Sequence, residues 1–418
     1  MRAAAVIFAL LVAGVARGAP SQVHLTWRGP TDTSMTVTWR ADEPGGAVEA
    51  WADGDPGARR TQASESRPWE GGYLHTAQLT GLAAGTRYRY RCGSEGAFAP
   101  EGTFTTAPVA GARFTFSVWG DNRDNRAVRT QMVKAILSGA PAFSLGVGDY
   151  VESGGELPQW DPWFEDMEPL LRAVPLMPVI GNHEARADAY FAQLPTPAHP
   201  HAEGYHDQEY YSFDYASMHV VALSTEASAA GAQRDWLRAD LAAAAARPGI
   251  RWTVAFGHRP PFSSGRHGSW LQAYEAWAPV FDEFRVPLTF WGHDHDYERT
   301  VPLRGGKAGG KGTVYVVTGG GGAPLGEVGA SGFTAFSKTT YEFLEVEVGP
   351  DELSVTARDA LGEAFDSFKV AHPSLAARRE QQRPETIGRE PTWPKAAALV
   401  GASALFAVVL LLTRRRTG

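Results

Sequence analysis

From Ser34 to Trp39 polar and apolar residues alternate, with Met35, Val37 and Trp39 on one side and Ser34, Thr36 and Thr38 on the other. A period of two predicts a half-buried strand. The same grammar runs from Val23 to Pro108 and is punctuated by Pro44-Gly45-Gly46 and Gly54-Asp55-Pro56-Gly57. Leu79 to Tyr90 reads as a turn entering an alternating strand, where a tyrosine suits the corner contact of a β-sandwich. From Arg113 to about Val370 the pattern changes. Short apolar runs end in Gly-Asp or Gly-His: Phe114–Trp119, Ala142–Val147, Trp252–Phe256 and Val286–Trp291. Helical periodicity lies between them, as over Ala127–Leu137 and Gln233–Ala246. Strands that alternate with helices imply an α/β core.

The two ends follow neither pattern. Met1-Arg2 precedes an apolar run from Ala3 to Val15 and the small residues Ala16, Gly18 and Ala19, which predicts a secretory signal peptide. Near the other end, Ala396 to Leu412 carries no charge and is flanked by Trp393 and by Arg414-Arg415-Arg416. That reads as a membrane-spanning helix at the short end of the range, with its arginines on the cytoplasmic side. The polar, Pro-bearing stretch before it reads as a tether. These segments predict an exported protein on the cell surface or periplasmic side, anchored in the membrane by its C-terminal helix.

Composition narrows the chemistry. With 39 Lys+Arg against 46 Asp+Glu the net charge is −7, so no nucleic-acid-binding surface is expected. Cys92 is the only cysteine. It excludes an intramolecular disulfide and a zinc site built on Cys pairs, and reads as a buried, inert thiol. A metal would be held by His, Asp, Asn, Glu or Tyr. Nine of the twelve histidines fall between His183 and His295.

One construction recurs: an apolar strand, a glycine, then a candidate metal ligand. It presents Asp121, Asp149, Asn182 followed by His183, His258, and the pair His293 and His295. Ligands in α/β sheets bind beyond the carboxyl ends of strands, and glycine permits the tight turn there. Oxygen and imidazole donors suit Fe, Zn or Mn. Two cations need an anionic ligand between them, and Asp149 is a candidate for that place.

Residues 112 to about 370 resemble the calcineurin-like metallophosphoesterase superfamily. Residues 19–108 resemble a fibronectin type III domain, and the combination is most similar to the purple acid phosphatase branch. The likeness extends to Tyr210–Tyr215, Gln233–Leu237, Tyr297-Glu298-Arg299 and Thr318–Gly322. It implies a β-sheet sandwich flanked by helices, α/β (α+β) in class, behind an all-β fibronectin type III-like sandwich, with the C-terminal transmembrane helix added. Together with the reading of the two ends, it divides the chain into a signal peptide (1–18), a fibronectin-like domain (19–108), a catalytic domain (112–372), a tether (373–394), a transmembrane helix (395–413) and a cytoplasmic tail (414–418). It also implies two divalent or trivalent metal ions. Asp121, Asp149 and His295 would hold the first; Asp149, Asn182, His258 and His293 would hold the second. His183 would be the catalytic proton donor or phosphate contact, and His267 would bind substrate.

The chain departs from that pattern at two positions. Glu152 stands where the purple branch has a tyrosine, and Arg123 where the wider superfamily has a histidine. The first metal then lacks its usual fourth ligand. Glu152, Asn122 and water stay open as replacements, while Arg123 is a candidate contact for a substrate phosphate. His199, His201 and His206 lie in a Pro-rich loop and read as solvent-facing. The function expected is a metal-dependent phosphohydrolase acting on a small phosphate ester, a monoester before a diester or nucleotide. A non-catalytic cell-surface binding module is the alternative of another class. Oligomeric state does not follow.

Overall fold

The computed structural model describes residues 18–200 and 205–372. In chain order the first strands are β1 (Ser21–Thr26), β2 (Met35–Ala41), β3 (Ala47–Ala52), β4 (Arg60–Ala63) and β5 (Glu65–Trp69). Then come β6 (Gly72–Leu79), β7 (Arg87–Ser94), β8 (Ala97–Phe98) and β9 (Gly102–Thr105). They form one sheet of order β1-β2-β6-β5 and a second of order β4-β3-β7-β8, with β9 also paired to β7. Val23, Val37 and Trp39 of the first share a core with Val48, Tyr90 and Cys92 of the second. At the turn into β7 the Tyr88 hydroxyl accepts the Ala83 amide at 2.9 Å, a tyrosine-corner contact. Burial pushes the Cys92 thiol far above its ordinary range, so it stays protonated.

The half-buried strand expected around Met35–Trp39 is corrected: Ser34, Thr36 and Thr38 are as buried as their apolar neighbours. The reason is docking. Thr38 pairs with His24 and Thr36 with Thr26, which places all four on one face of the sheet. On that face the His24 ring packs on Phe164 and its Nε2 meets the Gln193 carbonyl at 2.5 Å. The second face of the sandwich is therefore covered by helices of the larger part of the chain.

That part opens with β10 (Phe114–Trp119), α1 (Arg126–Ser138), β11 (Ser144–Gly146), α2 (Leu157–Leu171), β12 (Leu176–Pro178) and α3 (Asp188–Gln193). It continues with β13 (Tyr211–Tyr215), β14 (Met218–Ala222), α4 (Ala232–Ala245), β15 (Trp252–Phe256), α5 (Leu271–Phe284) and β16 (Leu288–Trp291). The remaining strands are β17 (Tyr297–Thr300), β18 (Leu303–Arg304), β19 (Lys307–Ala308), β20 (Val314–Thr318), β21 (Thr334–Lys338), β22 (Glu342–Val348), β23 (Glu352–Asp359) and β24 (Ala364–Ala371). Two mixed sheets result, β12-β11-β10-β22-β23-β24 and β13-β14-β15-β16-β20-β17-β21. Their facing sides share a core, with Phe116 edge-on to Phe290 at 6.1 Å. Val128, Met132 and Ile136 of α1 and Trp163 and Leu170 of α2 cover the first sheet. Leu237 of α4 and Trp277 and Phe281 of α5 cover the second. Asn125 caps α1 by accepting the Val128 amide, worth about 1 kcal/mol.

The expected transmembrane helix is also corrected. No helix among the described residues is long and apolar enough to cross a membrane. The longest, α2, has 15 residues and carries Asp161, Glu165, Asp166 and Glu168, whereas a span needs about 20 predominantly apolar residues. The segment 395–413 itself lies outside the described residues, as do the tether, the tail, and the predicted signal peptide apart from Gly18. In the Pro-rich loop His206 does not face solvent freely; its ring stacks on Phe191 at 3.7 Å, and His199 stacks on Trp236 at 5.5 Å. His201 is outside the described residues.

Candidate metal centre

The candidate ligands leave neighbouring strand ends. Asp121 follows β10, Asp149 follows β11, Asn182 follows β12, His258 follows β15 and His293 follows β16; His295 precedes β17. β10, β11 and β12 run parallel, as do β15 and β16, so these turns gather on one edge of the stacked sheets. The turns are sharp. Asp121, Asp149 and His293 all have positive φ, at 52°, 56° and 70°. Such backbone costs about 1–3 kcal/mol per residue unless its surroundings hold it.

Hydrogen bonds supply that hold. Asp121 N–H donates to the Gly148 carbonyl at 2.9 Å and Asn122 N–H to the Asp149 carbonyl at 3.1 Å, which ties the first two turns together. His293 N–H donates to both Asp121 oxygens, at 3.1 and 3.0 Å. The fully buried Glu184 carboxylate accepts the amides of Asp149 (2.9 Å), Tyr150 (2.8 Å) and Gly181 (2.8 Å). Amide hydrogen bonds of this kind are worth about 0.5–1.5 kcal/mol each and together offset part of the local strain. Space is equally restricted. A Cβ on Gly181 would lie 2.2 Å from Asp149 Oδ1, and one on Gly292 2.3 Å from Asp121 Oδ2.

Two groups of ligand atoms result, each within 4.8 Å: Asp121, Asp149 and His295, and Asp149, His258 and His293. Asp149 belongs to both. Asn182 Oδ1 joins the second group 3.1 Å from His258 Nε2. The ring orientations fit a metal. His258 Nδ1 meets the Val147 carbonyl at 2.8 Å and His295 Nδ1 meets the Pro324 carbonyl at 2.8 Å. A carbonyl only accepts, so Nδ1 carries the hydrogen and Nε2 is turned toward the carboxylates, the arrangement that orients imidazole ligands. Protonation follows the same layout. Burial would lower His258, but Asp149 and Asp121 hold it up at about 10. Burial also works against the Asp149 charge, yet His258 and the His183 amide keep it below the usual carboxylate range. Burial and the Asp149 charge raise Asp121. Burial and the nearby His258 and Arg259 charges push His293 down to about 2, leaving a neutral ring.

A cavity of about 180 Å³ opens on these groups and is lined by Arg123, Asp149, Asn182, His183, Arg266 and His267, among others. His183 Nδ1 donates to the Glu152 carbonyl at 2.8 Å, and its Nε2 lies 3.8 Å from Asp149 Oδ2. His267 is anchored through its amide (2.7 Å) and Nδ1 (3.0 Å) to the buried Asp294 carboxylate. Arg123 Nε donates to Glu152 Oε2 at 2.5 Å, and its Nη1 lies 3.3 Å from His295 Nε2. All nine residues singled out from the sequence therefore meet at one place. Glu184, Asp294 and Arg266 were given no role there. Glu184 and Asp294 follow candidate ligands within two residues, but they act on backbone and side chains distant in sequence. Asn122, one of the replacements open for the fourth ligand, is turned away, and so is Tyr150, the residue after Asp149. Asn122 accepts Trp163 Nε1 at 3.0 Å, and Tyr150 is fully buried with its hydroxyl on the Val179 carbonyl at 3.1 Å.

Comparison with known proteins agrees with this architecture. Residues 20–106 match the family described as purple acid phosphatase, N-terminal domain, and residues 115–297 match the calcineurin-like phosphoesterase family. Purple acid phosphatase 21 of Arabidopsis thaliana is 30% identical over 328 residues, covering 72% of this chain and 71% of that protein. Human acid phosphatase type 7 is 29% identical over 329 residues, covering 69% of this chain and 73% of that one. The structure of purple acid phosphatase PPD1 from yellow lupin seeds superposes with a TM-score of 0.78 at 20% identity, over 91% of this chain and 78% of that one, which shows the fold. The chain belongs to the calcineurin-like metallophosphoesterases, in their purple acid phosphatase branch.

Proposed function

We propose that the chain is a phosphomonoesterase working through a binuclear metal centre. The observation that carries this reading is the pair of ligand groups that share Asp149 at the floor of one cavity. Asp149 would bridge. Asp121 and His295 would complete one ion position; Asn182, His258 and His293 would complete the other. Iron, zinc and manganese all suit these donors. Two such cations supply Lewis acidity toward phosphate oxygens and activate water for in-line attack on phosphorus. The side chains do the rest. His183, its Nδ1 fixed by the Glu152 carbonyl, presents Nε2 to the leaving-group oxygen and hands it a proton. His267, held by Asp294, and Arg123 bind phosphate oxygens. Support for a monoester comes from the cavity wall, where Arg123, Arg266, His183 and His267 together suit a dianionic terminal phosphate.

The test is turnover of p-nitrophenyl phosphate by metal-loaded protein, beside bis(p-nitrophenyl) phosphate. Asp149→Asn weakens both ion positions at once, and turnover is expected to vanish in a variant that melts as a folded protein. Near-normal turnover in that variant sinks the two-metal reading, and faster hydrolysis of the diester reverses the substrate assignment.

A further inference from the structure

The two ion positions are built unequally. The second has four candidate ligands, Asp149, Asn182, His258 and His293. The first has three, Asp121, Asp149 and His295, and the side chains of Asn122, Tyr150 and Glu152 are engaged elsewhere. Asn122 faces Trp163, Tyr150 faces Val179, and the carboxylate of Glu152 is held by Arg123. In addition, a cation stands at the open side. Arg123 Nη1 is 3.3 Å from His295 Nε2, the nitrogen that would bind an ion there. The guanidinium is not a loose surface group. Its side chain is 11% exposed and it pairs with Glu152 at 2.5 Å and Asp124 at 3.5 Å. Its backbone is fixed too: buried Arg129, paired with Asp166 at 2.6 Å, donates to the carbonyls of Asn122 and Arg123 at 2.7 and 3.3 Å. A site short of one ligand and facing a fixed positive charge binds a cation less tightly than a complete one.

We propose that Arg123, held by Glu152, takes the place of the missing ligand and makes the first ion position weak and exchangeable, while the second is tight. This rests on the metal-centre reading above. Arg123 then has two opposed effects, attracting substrate phosphate and repelling the first ion. The enzyme is expected to hold one resident ion and to acquire the other from solution, so that activity follows free metal concentration.

The experiment is equilibrium dialysis and calorimetric titration of the metal-stripped chain with Zn²⁺, and separately with Mn²⁺. The expected result is two binding steps that differ by about 10²-fold or more, as a neighbouring like charge produces, with one ion per chain surviving dialysis. Arg123→Gln is expected to tighten the weak step and leave the tight one unchanged. Glu152→Gln removes the charge that offsets the guanidinium and should weaken the weak step only while Arg123 is present; if Glu152 were itself a ligand, the step would weaken equally in the Arg123→Gln background, and the proposal falls. Two ions retained with equal affinity also overturn it, while leaving the binuclear reading intact. A chain that binds no ion at all removes both. Should Arg123→Gln fail to fold, the ratio of the two steps in the unsubstituted protein still decides.

Discussion

His183 sits beside the candidate metal ligands without belonging to either group, and its ring is set by a backbone carbonyl. His183→Ala should therefore leave metal content unchanged while turnover falls about 10²–10⁴-fold, the usual worth of a positioned proton donor. Metal analysis beside steady-state kinetics checks this; loss of an ion in the variant would make His183 a ligand. At this scale the candidate ligands were legible because five of the six follow a glycine after a strand, a pattern local in sequence, and His295 lies two residues beyond the fifth. Glu184 and Asp294 were not legible in the same way. Their roles depend on partners such as the Asp149 amide and the His267 ring, 35 and 27 residues away. Arg123 was legible as a departure from the family pattern, but its ion pair with Glu152 across 29 residues was not.

Among the elements, the glycine-ligand turn is the unit that repeats. Its geometry leaves no room for a side chain, since a Cβ at Gly181 would overlap Asp149 Oδ1. Gly181→Ala should push the shared carboxylate out of place and reduce metal retention, with a smaller effect on the melting temperature than on bound ion. Dialysis followed by metal analysis measures it; full retention of both ions would show that the turn relaxes freely. Strand positions were read well wherever the apolar run was continuous: Phe114–Trp119 and Trp252–Phe256 coincide with β10 and β15. Helix α2 holds Pro162 and Pro169 inside it, residues that ordinarily end a helix. Its buried face, Trp160, Trp163, Phe164, Met167, Leu170 and Leu171, maintains it through packing.

For the whole molecule, buried ionisable groups set a pH dependence of stability. Burial pushes Glu342 from 4.5 to about 8, where Thr318 and Gly320 donate to it. His219 is buried too, which alone would lower it, but Asp214 and Asp240 raise it above 6.5. In both cases the folded chain keeps a proton that the unfolded chain has released, so the stability these groups contribute is present at low pH. It is lost as pH rises through the folded values. His24 works in the opposite sense, since burial lowers it and its contribution is lost on acidification below 6.5. Glu342 should therefore make the metal-free protein lose part of its thermal stability between pH 5 and pH 8. Glu342→Gln should flatten that slope. Melting curves across the range test this, and an unchanged slope in the variant would remove Glu342 from the account.

The covered face of the sandwich has a further consequence. The sequence shows a boundary near Pro108, and Val109 beside it is 75% exposed, open to a protease. Yet His24 and Thr38 are buried, with the His24 ring against Phe164 and the Gln193 carbonyl. Cutting the chain there would not separate two independent bodies. The fragments would stay associated and lose structure together, and neither half produced alone would have a finished surface. The N-terminal sandwich acts less as an attached module than as one wall of the enzyme.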